Sequence, residues 1–371
     1  MKIRIASVAC VAIAACPLLA LPRPAQAQGP SSLQLYGRVG AGVVDTNHQA
    51  GGGSLRAVND NVLMTSFMGL RGGEDLGGGL RTNFQLETQL APDTGASGSP
   101  TLGFWNRQSW VGLDLGPHAS VTLGRQFHTT VDLLVQSLMV YNLAGADGEF
   151  TPLALVGVNR YSSNDTRVSN AIKVRLRGPA GTAAAYSFGA GEGTAGNSYS
   201  ATLSQVTKAY SVGAYFMQYN ATPAAAQALG HLPKQQVAGG GLQWPIGPLR
   251  LYLTYLHNTL DGTTAGKGTQ RNRIGILGIA YRLAPSVMLK AEYTADRGTT
   301  LDGVQGRDGR KNTINASAQW WLSRRTNLYL AFADNRYTGG YVAETLNIAA
   351  FARAPGATSI QQWSSGFEMA F

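Results

Sequence analysis

The stretch "RVSNAIKVRL" sets three cations, Arg167, Lys173 and Arg175, against Val168, Ile172, Val174 and Leu176 by strict alternation. Successive side chains of an extended chain point to opposite faces, so the cations share one face and the apolar groups the other. In "LQLYGRVGAGVV" Arg38 stands in the same relation to Leu33, Leu35, Val39, Ala41 and Val43. The chemistry open to such residues is attraction of anions rather than the making of bonds. A basic residue on a lipid-facing side costs ~2–4 kcal/mol at mid-membrane, so all four cations are expected to face water. For Lys173 and Arg175 a plain water-filled wall is an equally good reading.

Bond-making chemistry finds no foothold. "GEGTAG" at Gly191–Gly196 has spaced glycines but neither a following helix nor the acidic residue that would hold a ribose. The five histidines, His48, His118, His128, His231 and His257, show no metal-ligand spacing. There is no Gly-x-Ser-x-Gly elbow, and no Ser–His–Asp set can be tied together. The expectation is no enzyme, no cofactor and no metal. The formal charge of +10 comes from singly scattered residues, which speaks against nucleic acid as a partner.

The elements that position the cations follow a segment with a different fate. Lys2 and Arg4 open a mostly apolar run to Leu21, and "AQA" at Ala25–Ala27 suits cleavage. Residues 1–27 therefore have the layout of a secretory signal peptide, with Pro17 and Pro22 breaking any permanent membrane helix. Both cysteines, Cys10 and Cys16, lie in that segment. The remainder, one domain over residues 28–371, enters an oxidising compartment without a disulfide. Removing Lys2, Arg4 and Arg23 leaves 27 basic residues against 20 acidic ones, a charge of +7.

From Leu33 onward the chain alternates in roughly sixteen short segments, among them Leu63–Arg71, Leu80–Leu90, Arg107–Leu115, Ala119–His128, Thr166–Arg177, Ser286–Asp296, Asn312–Leu322 and Gln361–Phe371. Long connections (Asp45–Val62, Thr129–Asp165, Tyr337–Ile360) take turns with short ones such as Gly116–His118 and Ser323–Arg324. In Asn312–Leu322, Ile314, Ala316, Ala318, Trp320 and Leu322 oppose Thr313, Asn315, Ser317, Gln319 and Trp321. In Ser286–Asp296, Val287, Leu289, Ala291, Tyr293 and Ala295 oppose Met288, Lys290, Glu292, Thr294 and Asp296.

A soluble sandwich would alternate too, but a sheet this large in water needs a second layer, and no core-forming helix is evident. Closed on itself in lipid, the sheet has no edge and satisfies every backbone group. The fold class expected is all-β: a transmembrane antiparallel barrel of sixteen strands, with short periplasmic turns and long extracellular loops. In "WSSGFEMAF", Trp363, Phe367, Met369 and Phe371 would form the lipid side of a last strand that pairs with the first.

Several stretches, "LYGRVGAGV", "LRGGEDLGGGLRTNFQLE", "NRQSWVGLDLG", "VTLGRQ", "RVSNAIKVRL" and "GFEMAF", together resemble the general porins of Gram-negative bacteria. The resemblance implies an outer-membrane homotrimer of sixteen-stranded barrels, each with the third long loop, here Thr129–Asp165, folded into its pore. It also implies a constriction in which wall arginines face loop acids. By position these are Arg38, Arg107 and Arg167 against Asp147 and Glu149, with Phe67 in "SFMGLRG" where the family commonly has arginine. Lys173 and Arg175 line the wall farther along. Arg125 has the parity of apolar Val121, Leu123 and Phe127, which suits a rim or subunit contact. Phe371 would be read by the barrel assembly machinery.

The function so implied is passive diffusion of small hydrophilic solutes and inorganic ions, with a mild anion preference. The alternative is a solute-specific channel using Phe67, Tyr36 and Trp110.

Overall fold

The computed structural model describes residues 31–60, 63–100, 102–138, 167–192, 196–221, 234–262 and 268–371. The expected signal segment 1–27 lies outside them. The strands are β1 (Ser32–Thr46), β2 (Leu55–Asp60), β3 (Phe67–Gly77), β4 (Leu80–Ala91), β5 (Ala96–Ser97), β6 (Gln108–Leu115), β7 (Ala119–Phe127), β8 (Arg167–Arg177) and β9 (Thr182–Gly189). They continue as β10 (Ser198–Val206), β11 (Ser211–Asn220), β12 (Lys234–Ile246), β13 (Leu249–Leu260), β14 (Gln270–Ala284), β15 (Val287–Thr299), β16 (Gly309–Trp321), β17 (Thr326–Gly339) and β18 (Ser359–Ala370). Apart from two short pieces, β2 and β5, each strand runs antiparallel to its sequence neighbours, and β1 pairs with β18 from Arg38↔Ala370 to Thr46↔Gln362. The result is a closed barrel of sixteen strands without a sheet edge, which is what a strand-built protein needs in lipid.

The alternation expected from sequence is realised on most strands. On β16, Ile314 and Trp320 are exposed while Thr313, Asn315, Ser317 and Gln319 are buried. On β15, Leu289 and Tyr293 are exposed while Glu292, Thr294 and Asp296 are buried. On β18, Trp363, Phe367 and Met369 are exposed, opposite buried Gln362, Ser364 and Glu368. The apolar side therefore faces outward, as lipid demands, and the polar side lines the lumen. The turn from β3 to β4 runs through Gly77, Gly78 and Gly79 at φ +80°, +60° and +83°, a left-handed path that side chains with a Cβ resist.

Three expectations need correction. The segment before Leu63 was expected to be loop, yet β2 pairs with the upper half of β1 while β3 pairs with its lower half. Between the pairs Arg38↔Phe67 and Ala41↔Asp60, β1 has two residues and the facing chain six. Ser66 spans this gap: its hydroxyl accepts from Gly40 N (3.0 Å) and donates to Gly40 O (3.2 Å) in place of the missing ladder.

No inner helix was expected, but α1 (Thr129–Leu133) continues as a π-helical turn, Leu134–Leu138, inside the lumen. Leu133, Leu134 and Leu138 form a buried cluster with Tyr215, Met217, Tyr219, Val237, Leu256, Ile274 and Ile276 of β11–β14. These strands are apolar on both faces, because one meets lipid and the other meets this loop.

Val168 was placed on the lipid side with Ile172, but it packs against that inner cluster. The pairing of β7 with β8 jumps from Gly124↔Ala171 to Gln126↔Val168, and Asn170 lies at φ 53°. One extra residue in β8 inverts its alternation above the bulge.

Candidate ion path and its constriction

The third loop is seated by polar contacts as well as by its leucines. Thr130 N donates to Ser200 Oγ (3.1 Å), Thr130 Oγ1 to Phe216 O (3.2 Å), and Thr254 Oγ1 to Leu138 O (2.6 Å). Asp132 pairs with Lys173 Nζ at 2.7 Å and also with Arg175. Thus the two cations placed on the lumen wall do face inward, where the loop's first turn takes them up as its anchor. Lys173 is buried there.

A second group lies where β1, β3, β4 and β6 meet. Arg38 Nη1 stands 3.5 Å from Glu368 Oε2 and also contacts Met64 Sδ. Arg107 Nε stands 3.6 Å from Glu87 Oε2, with its guanidinium 4.8 Å from the centre of the Phe67 ring. Glu87 is buried and accepts from Tyr36 Oη (2.8 Å) and Gln85 Nε2 (2.6 Å). Phe67 links the two arginines, because its backbone is paired with Arg38 while its ring carries Arg107. Tyr36 meets Phe67 edge-on at 5.9 Å, whereas Trp110 turns to Gln108 (3.1 Å).

Arg167 lies over the Phe127 ring at 4.3 Å, within electrostatic reach of Arg107, Arg125 and Glu87. Arg125 Nε donates to Asn106 O (2.6 Å) and its Nη1 to Ser169 Oγ (3.0 Å). Arg107 and Arg167 are therefore brought into one neighbourhood together with Arg125, and Arg38 stands apart on the far side of Phe67. The loop acids Asp147 and Glu149 lie outside the described residues.

The mouth holds a second inward segment that the sequence did not announce. After β17, a helix α2 (Thr345–Ala350) carries residues 340–358 onto the inner wall of β12–β16. Tyr341 Oη donates to Asp296 Oδ2 (2.6 Å) and accepts from Asn272 Nδ2 (2.6 Å). Arg353 is fully buried, donating through Nη2 to Tyr341 O (3.1 Å) and Val342 O (2.9 Å) and stacking on Tyr337 at 4.2 Å. Glu344 caps α2 through Asn347 N (2.7 Å), and burial pushes its carboxyl above the usual carboxylate range. Asp302, from the preceding connection, accepts from Thr345 Oγ1 (2.7 Å) and Arg307 Nη1 (3.0 Å).

Sequence reasoning passed over Glu87, Glu368, Asp132 and Met64. Glu87 and Glu368 carried a signal, since each alternates with apolar neighbours in "FQLE" and "GFEMAF". Asp132 carried none, because it sits on no alternating segment, and Met64 is an apolar residue that nothing in Leu63–Arg71 sets apart.

Buried acid–arginine pairs thus stand on a lumen wall that inward segments narrow. Such a wall grades ions and small solutes by charge and size. A family model described as Gram-negative porin matches residues 9–340. Outer membrane porin protein 32 of Delftia acidovorans is 30% identical over 329 residues, spanning 86% of this chain and 88% of that protein. Among solved structures, the anion-selective porin from Comamonas acidovorans is similar with a TM-score of 0.73 at 20% identity, covering 92% of this chain and 100% of that one. The trimer form of OmpT, an outer membrane protein of Vibrio cholerae, has a TM-score of 0.69 at 13% identity, covering 92% and 100%. Salmonella typhi OmpF in complex with daunomycin has 0.64 at 14%, covering 91% and 97%. The chain belongs to the Gram-negative porins, and it is an outer-membrane β-barrel channel for passive diffusion rather than an enzyme.

Proposed function

We propose that this porin passes small hydrophilic solutes with a mild preference for anions. The observation that carries the reading is the gathering of Arg107 and Arg167 around one buried carboxylate, Glu87. The similarity to an anion-selective porin agrees with it. In this reading Arg38, Arg107, Arg167 and Phe67 border the narrow passage, Asp147 and Glu149 oppose them from the loop, and Lys173 and Arg175 act through Asp132. The test is the zero-current potential across a KCl gradient in a planar bilayer, where a preference for potassium would overturn it.

The working form is a homotrimer in outer-membrane lipid, exported by the signal segment 1–27 and inserted by the barrel assembly machinery. A trimer of closed, strand-paired barrels resists SDS until heated. Migration unchanged by boiling would count against it. A solute-specific channel is favoured only by the Tyr36–Phe67 ring pair beside Arg107. It requires stepwise block of the current by one organic anion.

A further inference from the structure

Tyr36 on β1, Gly69 on β3 and Glu87 on β4 stand abreast, Tyr36 facing Gly69 in register and Gly69 facing Glu87. Residues directly opposite one another on paired strands share a face, so all of them belong to the lumen wall. Neighbouring strands lie about 4.8 Å apart, which puts about 10 Å of wall between Tyr36 and Glu87. The phenol crosses that distance because Gly69 has no side chain: a Cβ there would stand 2.8 Å from Tyr36 Cζ.

The ring is pinned on every side. It meets Phe67 edge-on, lies flat on Gly69, and carries the Arg71 guanidinium at 4.7 Å, which Gln34 Oε1 holds in turn through Arg71 Nε (3.0 Å). At its tip Oη donates to Glu87 Oε1 (2.8 Å) and accepts from Gln85 Nε2 (2.8 Å). Gln85 Nε2 also donates to the same Glu87 Oε1 (2.6 Å). The phenol, the amide and the carboxylate therefore close a triangle, in which each bond polarises the next.

This triangle keeps the acid from its arginine. Free to meet, a guanidinium and a carboxylate close to about 2.8 Å. Here Arg107 Nε stops 3.6 Å from Glu87 Oε2, beyond hydrogen-bond reach. Arg107 Nε is buried and has no hydrogen-bond partner among the described residues. The guanidinium rests on the Phe67 ring instead, at 4.8 Å. A buried carboxylate that loses one donor must find another, and the nearest is that unused Arg107 N–H. Closing the pair would draw the negative charge out of the wall and cover the positive one.

We propose that Tyr36 is a positioning residue that sets the ion preference of this channel: its hydroxyl holds Glu87 back in the wall, so that Arg107 presents its charge to passing anions. This role rests on the anion reading of the passage. It differs from contact with a chosen solute, because the only proton of the phenol is already given to Glu87.

The experiment measures the zero-current potential across a KCl gradient in planar bilayers. It compares wild type with Tyr36→Phe, Gln85→Leu, Glu87→Gln and the double variant Tyr36→Phe/Glu87→Gln. Tyr36→Phe keeps the ring and loses only the hydroxyl. Its chloride-to-potassium ratio should fall by up to about twofold, the effect of one unit charge about 10 Å from an ion in water. Gln85→Leu should shift the potential in the same direction. Glu87→Gln should raise the ratio, and adding Tyr36→Phe to it should change nothing further, because no charge is left to hold.

A potential unmoved by Tyr36→Phe would overturn the proposal. So would an equal shift in the Glu87→Gln background, by showing that the phenol acts through Arg71 or Phe67 and not through the carboxylate. If Tyr36→Phe fails to assemble, Gln85→Leu decides by the same comparison with and without Glu87→Gln. A wild type that prefers potassium would overturn the anion reading alone, since the difference between Tyr36→Phe and wild type still decides the role of Tyr36.

Discussion

The ring of Phe371 lies across the backbone of Gly37: a Cβ built at Gly37 would come within 2.6 Å of Phe371 Cζ and 2.5 Å of Phe67 O. The two residues also exchange backbone hydrogen bonds, Gly37 N to Phe371 O (3.2 Å) and Phe371 N to Gly37 O (3.1 Å). Barrel closure and the position of this aromatic ring are thus one event. Gly37→Val should hinder closure through overpacking of about 1–3 kcal/mol, lowering heat-modifiable refolding in detergent. Phe371→Ala removes no backbone bond, so it should refold in vitro yet reach the outer membrane several-fold less. Wild-type surface levels of Phe371→Ala would remove Phe371 as an assembly signal.

Ion preference follows from the excess charge at the passage. One unit charge about 10 Å from an ion's path changes its energy by about 0.4 kcal/mol at the dielectric constant of water, or about 1.7 kcal/mol at an effective 20. At 1.36 kcal/mol per factor of ten, these bounds correspond to about twofold and about seventeenfold selectivity, and salt screening favours the low end. Arg107→Glu sets a second carboxylate beside Glu87 and should move the zero-current potential toward cations. A potential unmoved by the reversal would place the ion path elsewhere.

The anchor at Asp132 makes a different forecast. Its removal in Asp132→Ala leaves Lys173 and Arg175 uncompensated on the wall, and breaking a buried pair costs about 3 kcal/mol. Single-channel recordings should show noisier current and a shift toward anions. Lys173→Met in the same background should restore quiet current, because the buried charge is then gone. Quiet current in Asp132→Ala would mean that the leucines alone hold the loop.

Seating of residues 340–358 should depend on pH through Glu344. Burial raises this carboxyl's pKa in the seated loop, so seating is strongest below the ordinary carboxylate range and weakens as pH rises through the raised value. Lys311 opposes this trend and Asp302 reinforces it. Amide exchange across 340–358, corrected for intrinsic rates, should show protection falling as pH rises above the ordinary carboxylate range, and Glu344→Gln should flatten the curve. An equal slope in the variant would assign the effect to another group.

Much of the barrel was legible because lipid enforces a period of two. The faces of β15, β16 and β18 could be read residue by residue, and so could closure of the last strand on the first. Legibility failed where the physical reason for alternation failed. Leu256, Ile274 and Ile276 point into the lumen yet are as apolar as lipid-facing Leu253 and Leu277, because a loop covers them. The bulge beside Asn170 inverted the parity of Val168 with no glycine or proline in β8 itself to mark it. The division of β2 from β3 depends on Ser66, whose hydroxyl stands in for backbone, a substitution invisible in composition. Arg38 could be read by parity, whereas Arg167, above the bulge, pairs with Phe127 and does not share the face of Lys173 and Arg175 as strict alternation implied.

The leucines of the third loop decide whether this channel can widen on demand. Lifting the segment 129–138 from the wall would return Leu133, Leu134 and Leu138 to water, along with the inner faces of Met217, Val237 and Ile274. At about 1.5–3 kcal/mol for each large apolar side chain, the three leucines alone hold it by about 5 kcal/mol or more. A detached loop would then be populated less than about once in several thousand molecules. The seat of segment 129–138 is therefore set when the barrel folds, like the bore of a drilled pipe.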